Sequence, residues 1–136
     1  MNNQYVLDSY AILALLNNES GAARIETLLH DAQNDNVNLS MSVINLGELA
    51  YIVERRWGQE QLRTILAYLE ETPVSIMPAT KERVFAAATI KAQHPLAYAD
   101  AFAAALTKEL SATLLTGDPE FHKIEGQIEI EWLRKN

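Results

Sequence analysis

The sequence predicts an α/β protein: a three-layer sandwich with a central, mostly parallel sheet and helices on both faces. Short runs of buried-strand character alternate along the chain with longer amphipathic segments, the pattern that crossover-linked parallel strands produce. The 136 residues, 49% of them hydrophobic and none of them cysteine, suffice for one domain-sized core built without disulfides or thiol-bound zinc. No internal repeat, low-complexity tract or Pro/Gly/Ser linker divides the chain, so residues 1–136 read as one unit.

Gln4 to Leu7 reads as a short buried strand, followed at once by a helical run through Leu16. Glu19-Ser20-Gly21 opens a second helix, Ala22 to Gln33, with Ile25, Leu28 and Leu29 on one face. Val37, Leu39 and Met41 alternate with polar residues, as in a strand. Ser42 can cap the next helix, from about Val43 to Arg56, which Trp57-Gly58 ends. An amphipathic helix covers Glu60 to Glu70, and Val74 to Met77 is a strand between Pro73 and Pro78. Lys81 to Gln93 is helical; Pro95 interrupts before Ala97 to Leu110 resumes as a helix. Thr113 to Thr116 is a strand, Gly117-Asp118-Pro119 a turn, and Ile128 to Trp132 the last strand. In such sheets ligands bind outside the carboxyl ends of the strands, which directs attention to the residues just after Leu7, Met41, Met77 and Leu115.

The net charge of −7 argues against a protein that coats nucleic acid by electrostatics alone, which needs a basic surface. It does not exclude an enzyme acting on nucleic acid, because bound cations cancel the charge of the carboxylates that hold them. The N-terminal apolar run is broken by Asp8 and preceded by no Lys or Arg, unlike a signal peptide. Nothing approaches the roughly 18–20 apolar residues of a membrane span. A cytoplasmic protein with no membrane partner is the expectation.

Three acids stand in unusual places. Asp8 lies between YVL and the stretch AILALL; Glu48 is the only charge from Met41 through Val53; Asp100 is the only charge from Leu96 through Thr107. A carboxylate isolated in an apolar stretch is costly unless it is paired, hydrogen-bonded or metal-bound. Simpler roles exist for each. Asp8 can cap the following helix, and Asp100 lies near a helix N-terminus that favours negative charge. Glu48, in mid-helix, can face solvent. Asp118 is a fourth candidate, after the strand LLT, although Asp-Pro-Glu is also a natural helix start. Oxygen-only ligands favour Mg²⁺ or Mn²⁺ over zinc. Magnesium keeps several waters and takes few carboxylates, so an open site is expected. One ion can activate water and stabilise phosphate charge; two, roughly 3.5–4 Å apart, clamp attacking and leaving oxygens together.

On these residues the sequence resembles the PIN-domain ribonucleases, and among them the VapC-type toxins of bacterial toxin–antitoxin pairs. The resemblance spans nearly the whole chain through YVLDSYAILALL, SVINLGELAYIV, LAYADAFAAAL and LLTGDPEF. Asp8, Glu48, Asp100 and Asp118 match, in order, the family's four acids. The resemblance implies a PIN-like fold and Mg²⁺- or Mn²⁺-dependent endoribonuclease activity, often on transfer or other structured RNA. It also implies a homodimer and a cognate antitoxin whose C-terminal segment occupies the active-site groove. Ser9, Asn45 and Thr116 would be helper residues, with Asn45 and Glu48 on one helix face; capping and turn chemistry is the simpler role for them.

Arg55, Arg56, Lys81, Arg83 and Lys91 are candidates to grip phosphate, while Arg55 and Arg56 equally complement a helix C-terminus. His122 can approach Asp118 but reads more simply as a solvated loop residue, and Tyr51 and Trp57 can stack a base but read more simply as core or dimer-contact residues. Other classes fit less well. A phospho-acceptor switch lacks its acceptor Asp after Met41 and its late Lys, and a haloacid-dehalogenase-like phosphatase lacks Asp-x-Asp at Asp8-Ser9-Tyr10. A PIN fold kept only for binding RNA or protein, or a PIN nuclease that is not a toxin, stays open as the alternative.

Overall fold

The computed structural model describes residues 3–133; the two ends of the expected 1–136 unit lie outside the described residues. Five strands form one sheet: β1 (Gln4–Leu7), β2 (Asn38–Ser42), β3 (Val74–Met77), β4 (Thr113–Thr116) and β5 (Glu129–Trp132), in the order β3-β2-β1-β4-β5. All four pairings are parallel, so the expected mostly parallel sheet is entirely so here. Six helices among the described residues connect the strands: α1 (Ser9–Leu16), α2 (Ala22–Gln33), α3 (Val43–Trp57), α4 (Gln59–Glu70), α5 (Lys81–Gln93) and α6 (Tyr98–Glu109). A 3-10 helix, Pro119–Ile124, comes after β4.

Period-two alternation on β1 and β4 splits the core between the faces of the sheet. Leu7 and Leu115 join the cluster of Ile12, Ile25, Leu28, Leu49, Val53 and Ile65, contributed by α1 to α4. Val6 and Leu114 join Ala87, Leu96, Phe102, Leu106 and Phe121 on the other face, under α5, α6 and the 3-10 helix. These are the two helical layers. The run AAAL of α6 is buried on nearly every side, because small side chains let α6 lie close to both α5 and the sheet.

Differences from the expected boundaries are small and local. Val37 lies before β2, which starts at Asn38, and β5 starts at Glu129 rather than Ile128. α3 runs through Trp57 to Gly58, whose φ of 89° ends one helix and lets α4 begin at Gln59 without a longer loop. Ala97 and Leu110 flank α6 instead of belonging to it. The segment after Asp118 is a tight 3-10 helix with Pro119 at its first position. No helix among the described residues is long and apolar enough to cross a membrane.

Candidate active site

Sheet register assembles the first pair of acids. Leu7 sits opposite Leu115 in the β1–β4 ladder, so the next residues along, Asp8 and Thr116, meet at the carboxyl edge. Asp8 Oδ1 accepts from the Ala11 backbone N–H at 2.9 Å and caps α1. Its Oδ2 accepts from the Thr116 hydroxyl at 2.5 Å. Thr116 Oγ1 accepts in turn from the Asp118 N–H at 3.0 Å, and Asp118 Oδ1 from the Glu120 N–H at 3.0 Å. Asp8 and Asp118 are therefore both helix caps and neighbours across one strand pair. Gly117 makes this turn possible: a Cβ there would lie 2.3 Å from Tyr10 Cε1, so the Tyr10 ring occupies the space that any other residue would need.

Two helices bring the remaining acids. Glu48, half-buried on α3, accepts from the Ser9 hydroxyl at 2.5 Å, which joins α3 to the start of α1. One turn earlier, the fully buried Asn45 donates through Nδ2 to the Ala99 carbonyl at 3.1 Å. That bond ties α3 to the first turn of α6, next to Asp100. Asn45 Oδ1 finds no partner among the described residues. Asp100 is only 7% exposed, and no hydrogen bond or ion pair engages its carboxylate among the described residues.

The electrostatics report how close these groups are. Asp100 is pushed up from 3.8 to about 7, first by burial and then by the charges of Asp118, Asp8, Glu48 and Glu120. Asp8 is likewise pushed up from 3.8 to about 7, chiefly by burial, with Asp118 and Glu48 adding to the rise. The Thr116 and Ala11 hydrogen bonds work the other way, because they stabilise the charged form. All four expected acids thus share one electrostatic neighbourhood. Glu120 joins them at its margin. The sequence showed Glu120 only as an acid in the first turn after Asp118, and its ion pair with Lys123 at 2.7 Å keeps it partly compensated.

The ion pairs among the described residues are Arg24–Glu131, Arg83–Glu109, His122–Glu125 and Lys123–Glu120; none involves Asp8, Glu48, Asp100 or Asp118. As the side chains stand, no three acidic or histidine residues among those described are arranged to close on a metal ion. Asp8 is held by Ala11 and Thr116, and Glu48 by Ser9. The donor set nevertheless fits a hard divalent cation: carboxylate oxygens only, partly desolvated, with no lysine or arginine among the described residues to balance them.

Several other candidates are engaged elsewhere. Arg83 makes a two-pronged contact with Glu109 and also reaches the Pro78 carbonyl. Lys91 donates to the Leu96 carbonyl at 2.7 Å, and Lys81 lies over the Phe85 ring. His122 pairs with Glu125 and stacks on Trp132 with ring centroids 4.2 Å apart, turned to β5. Arg55 and Arg56 remain in no ion pair among the described residues, and Tyr51 and Trp57 are exposed beside them.

The PIN-domain family model matches residues 5–127. The chain belongs to the PIN-domain family. Among solved structures, this PIN domain is similar to VapBC-1 from nontypeable Haemophilus influenzae, with 25% identity, a TM-score of 0.71, and 96% of this chain and 98% of that chain covered. It shares its fold with VapBC2 from Rickettsia felis bound to a promoter DNA fragment, at 20% identity and a TM-score of 0.75, over 96% and 99% of the two chains. It likewise shares the fold of Mycobacterium tuberculosis VapC20, a Sarcin-Ricin loop cleaving toxin, at 20% identity and a TM-score of 0.67, over 91% and 95%. No curated protein gives a significant sequence match. The resemblance to VapC-type PIN proteins, drawn from the sequence, is borne out by these matches, as is the three-layer α/β fold.

Proposed function

We propose that this PIN domain is a Mg²⁺- or Mn²⁺-dependent endoribonuclease that hydrolyses RNA phosphodiester bonds, acting as the toxin of a VapBC-type toxin–antitoxin pair. The observation that carries the proposal is the shared field of Asp8, Glu48, Asp100 and Asp118, four carboxylates with no cationic partner among the described residues, at the carboxyl edge of β1 and β4. A divalent cation bound there supplies Lewis-acid stabilisation of phosphate charge and a more acidic water. Asp8, Glu48 and Asp100 would hold the cation, with Asp118 as a fourth donor. Thr116 and Ser9 orient Asp8 and Glu48 through their hydroxyls. Asn45 ties α3 to the first turn of α6 and so holds the helices that carry Glu48 and Asp100.

The partners are inferred from the family. Similarity to VapBC-1, and to a Klebsiella pneumoniae toxin–antitoxin complex that shares this fold, supports a cognate antitoxin, and VapC20 supports an RNA substrate. A cytoplasmic homodimer is part of the same proposal.

Purified chain freed of antitoxin is to be incubated with RNA and Mg²⁺, Mn²⁺ or chelator. Cleavage is expected with either metal, none with chelator, and none from Asp8→Asn or Asp100→Asn. Metal-independent cleavage, or full activity in those variants, would sink the mechanism. RNA or protein binding that persists in chelator without any cleavage points instead to a binding-only PIN domain.

A further inference from the structure

We infer that the outer row of α3 beyond Glu48 is a track for single-stranded RNA, with Tyr51 stacking a base and Arg55 gripping a phosphate. The inference rests on the nuclease reading and adds to it the residues, outside the four acids, that hold the strand. Tyr51, Ile52 and Arg55 come after Glu48 at spacings of three, four and seven, which put all four on one side of a helix. At a rise of 1.5 Å per residue, Arg55 lies about 10.5 Å along the axis from Glu48, within reach of a strand a few nucleotides long.

Tyr51, Ile52, Arg55 and Arg56 line an open depression of about 400 Å³. The Tyr51 residue is 54% exposed, although an aromatic on a helix is more cheaply placed inside. In a chain of net charge −7, Arg55 and Arg56 are cations that form no ion pair among the described residues. Complementing the C-terminal dipole of α3 accounts for the charges but not for the exposed ring beside them.

A ring for stacking and a guanidinium for phosphate form the pairing that recognises unstacked nucleotides. A duplex hides its base faces, so it has no use for Tyr51. A docking protein would need a contiguous apolar centre, and here the two exposed rings, Tyr51 and Trp57, are interleaved with arginines, Arg56 lying over Trp57. The track also starts at Glu48, so a strand held on it is delivered to the acids.

The test pairs RNA binding, measured by anisotropy of a fluorescent oligoribonucleotide in the cleavage-inactive Asp100→Asn background with Mg²⁺, with steady-state cleavage in the wild-type background. Tyr51→Ala and Arg55→Ala are each expected to raise Kd and KM for a single strand about tenfold, with kcat changed less than about twofold. Tyr51→Phe should retain affinity, Arg55→Ala should reduce the salt dependence by about one counterion, and Arg63→Ala on α4 should change nothing. Melting temperatures check that each variant is folded. Unchanged Kd and KM in folded Tyr51→Ala and Arg55→Ala, with the parent chain cutting RNA normally, overturn the track and leave the nuclease intact. Loss of dimer or antitoxin binding with RNA affinity unchanged also overturns it, and makes the row a protein contact. A parent chain that neither binds nor cuts RNA removes the nuclease reading itself, and the track with it.

Discussion

Asp100 concentrates the chemistry of this site in one side chain: a buried carboxylate without a hydrogen-bonding partner among the described residues, in the field of four others. Its carboxyl and that of Asp8 hold protons up to about pH 7 rather than 3.8. The folded chain therefore binds these protons more tightly than the unfolded one. The resulting stabilisation is complete below about pH 3.8 and is lost as the pH rises through 7. Replacing Asp100 by Asn removes one like charge, so Asp100→Asn should melt a few degrees higher than the parent at pH 8 in chelator, and equally at pH 4. Cleavage by the same variant should fall to background. A variant less stable at pH 8 would show that Asp100 has a compensating partner. Thr116→Val tests the support: it leaves Asp8 Oδ2 and the Asp118 N–H without their shared hydroxyl. A stability loss of about 1–3 kcal/mol in urea denaturation is expected. Metal-dependent activity should drop about 10–100-fold, as for other groups that orient metal ligands.

Among the elements, the turn between β4 and the 3-10 helix sets where Asp118 points, and Tyr10 of α1 sets the turn. Gly117→Ala should move either the Tyr10 ring or the turn, since the added methyl meets Tyr10 Cε1 at 2.3 Å. The cost in stability is expected at about 1–3 kcal/mol, with a larger proportional loss of cleavage; a fully active Gly117→Ala would show that Asp118 tolerates displacement. Tyr10→Ala in the Gly117→Ala chain should recover part of the activity by freeing that space.

Most elements were legible because periodicity and punctuation agreed. Ser42, Gly58, Pro73 and Pro95 mark boundaries that the structure keeps within a residue or two. The acids Asp8, Glu48 and Asp100 stood out because each lay in a stretch without other charges, and isolation of that kind is a local property. What the chain could not display are contacts set by register and packing. The Ser9–Glu48 and Asn45–Ala99 bonds join residues 39 and 54 positions apart, and Glu120 enters the field of Asp100 only through the compact 3-10 geometry. Arg83 read as a free cation, although Glu109 on α6 holds it, for the same reason: its partner is distant in sequence.

At the scale of the whole molecule, the acidic charge that argues against a nucleic-acid coat is concentrated in part at the site that is to handle RNA. A divalent cation resolves the conflict locally, and it competes with the protons on Asp8 and Asp100. Stabilisation of the protein by Mg²⁺ should accordingly grow with pH: a thermal shift assay at fixed Mg²⁺ should give a clear rise in Tm at pH 8, little at pH 5.5, and none at either pH for Asp100→Asn. An equal shift at both pH values would place the ion elsewhere.

The proposed chemistry depends on a cation held by these four acids. Anomalous diffraction from crystals grown with Mn²⁺ tests this most directly. The expected result is a manganese peak bounded by the carboxylates of Asp8 and Asp100, with Glu48 and Asp118 nearby, that vanishes in Asp100→Asn crystals. Manganese bound at other acids while these four stay bare, at saturating metal and pH 8, would contradict it.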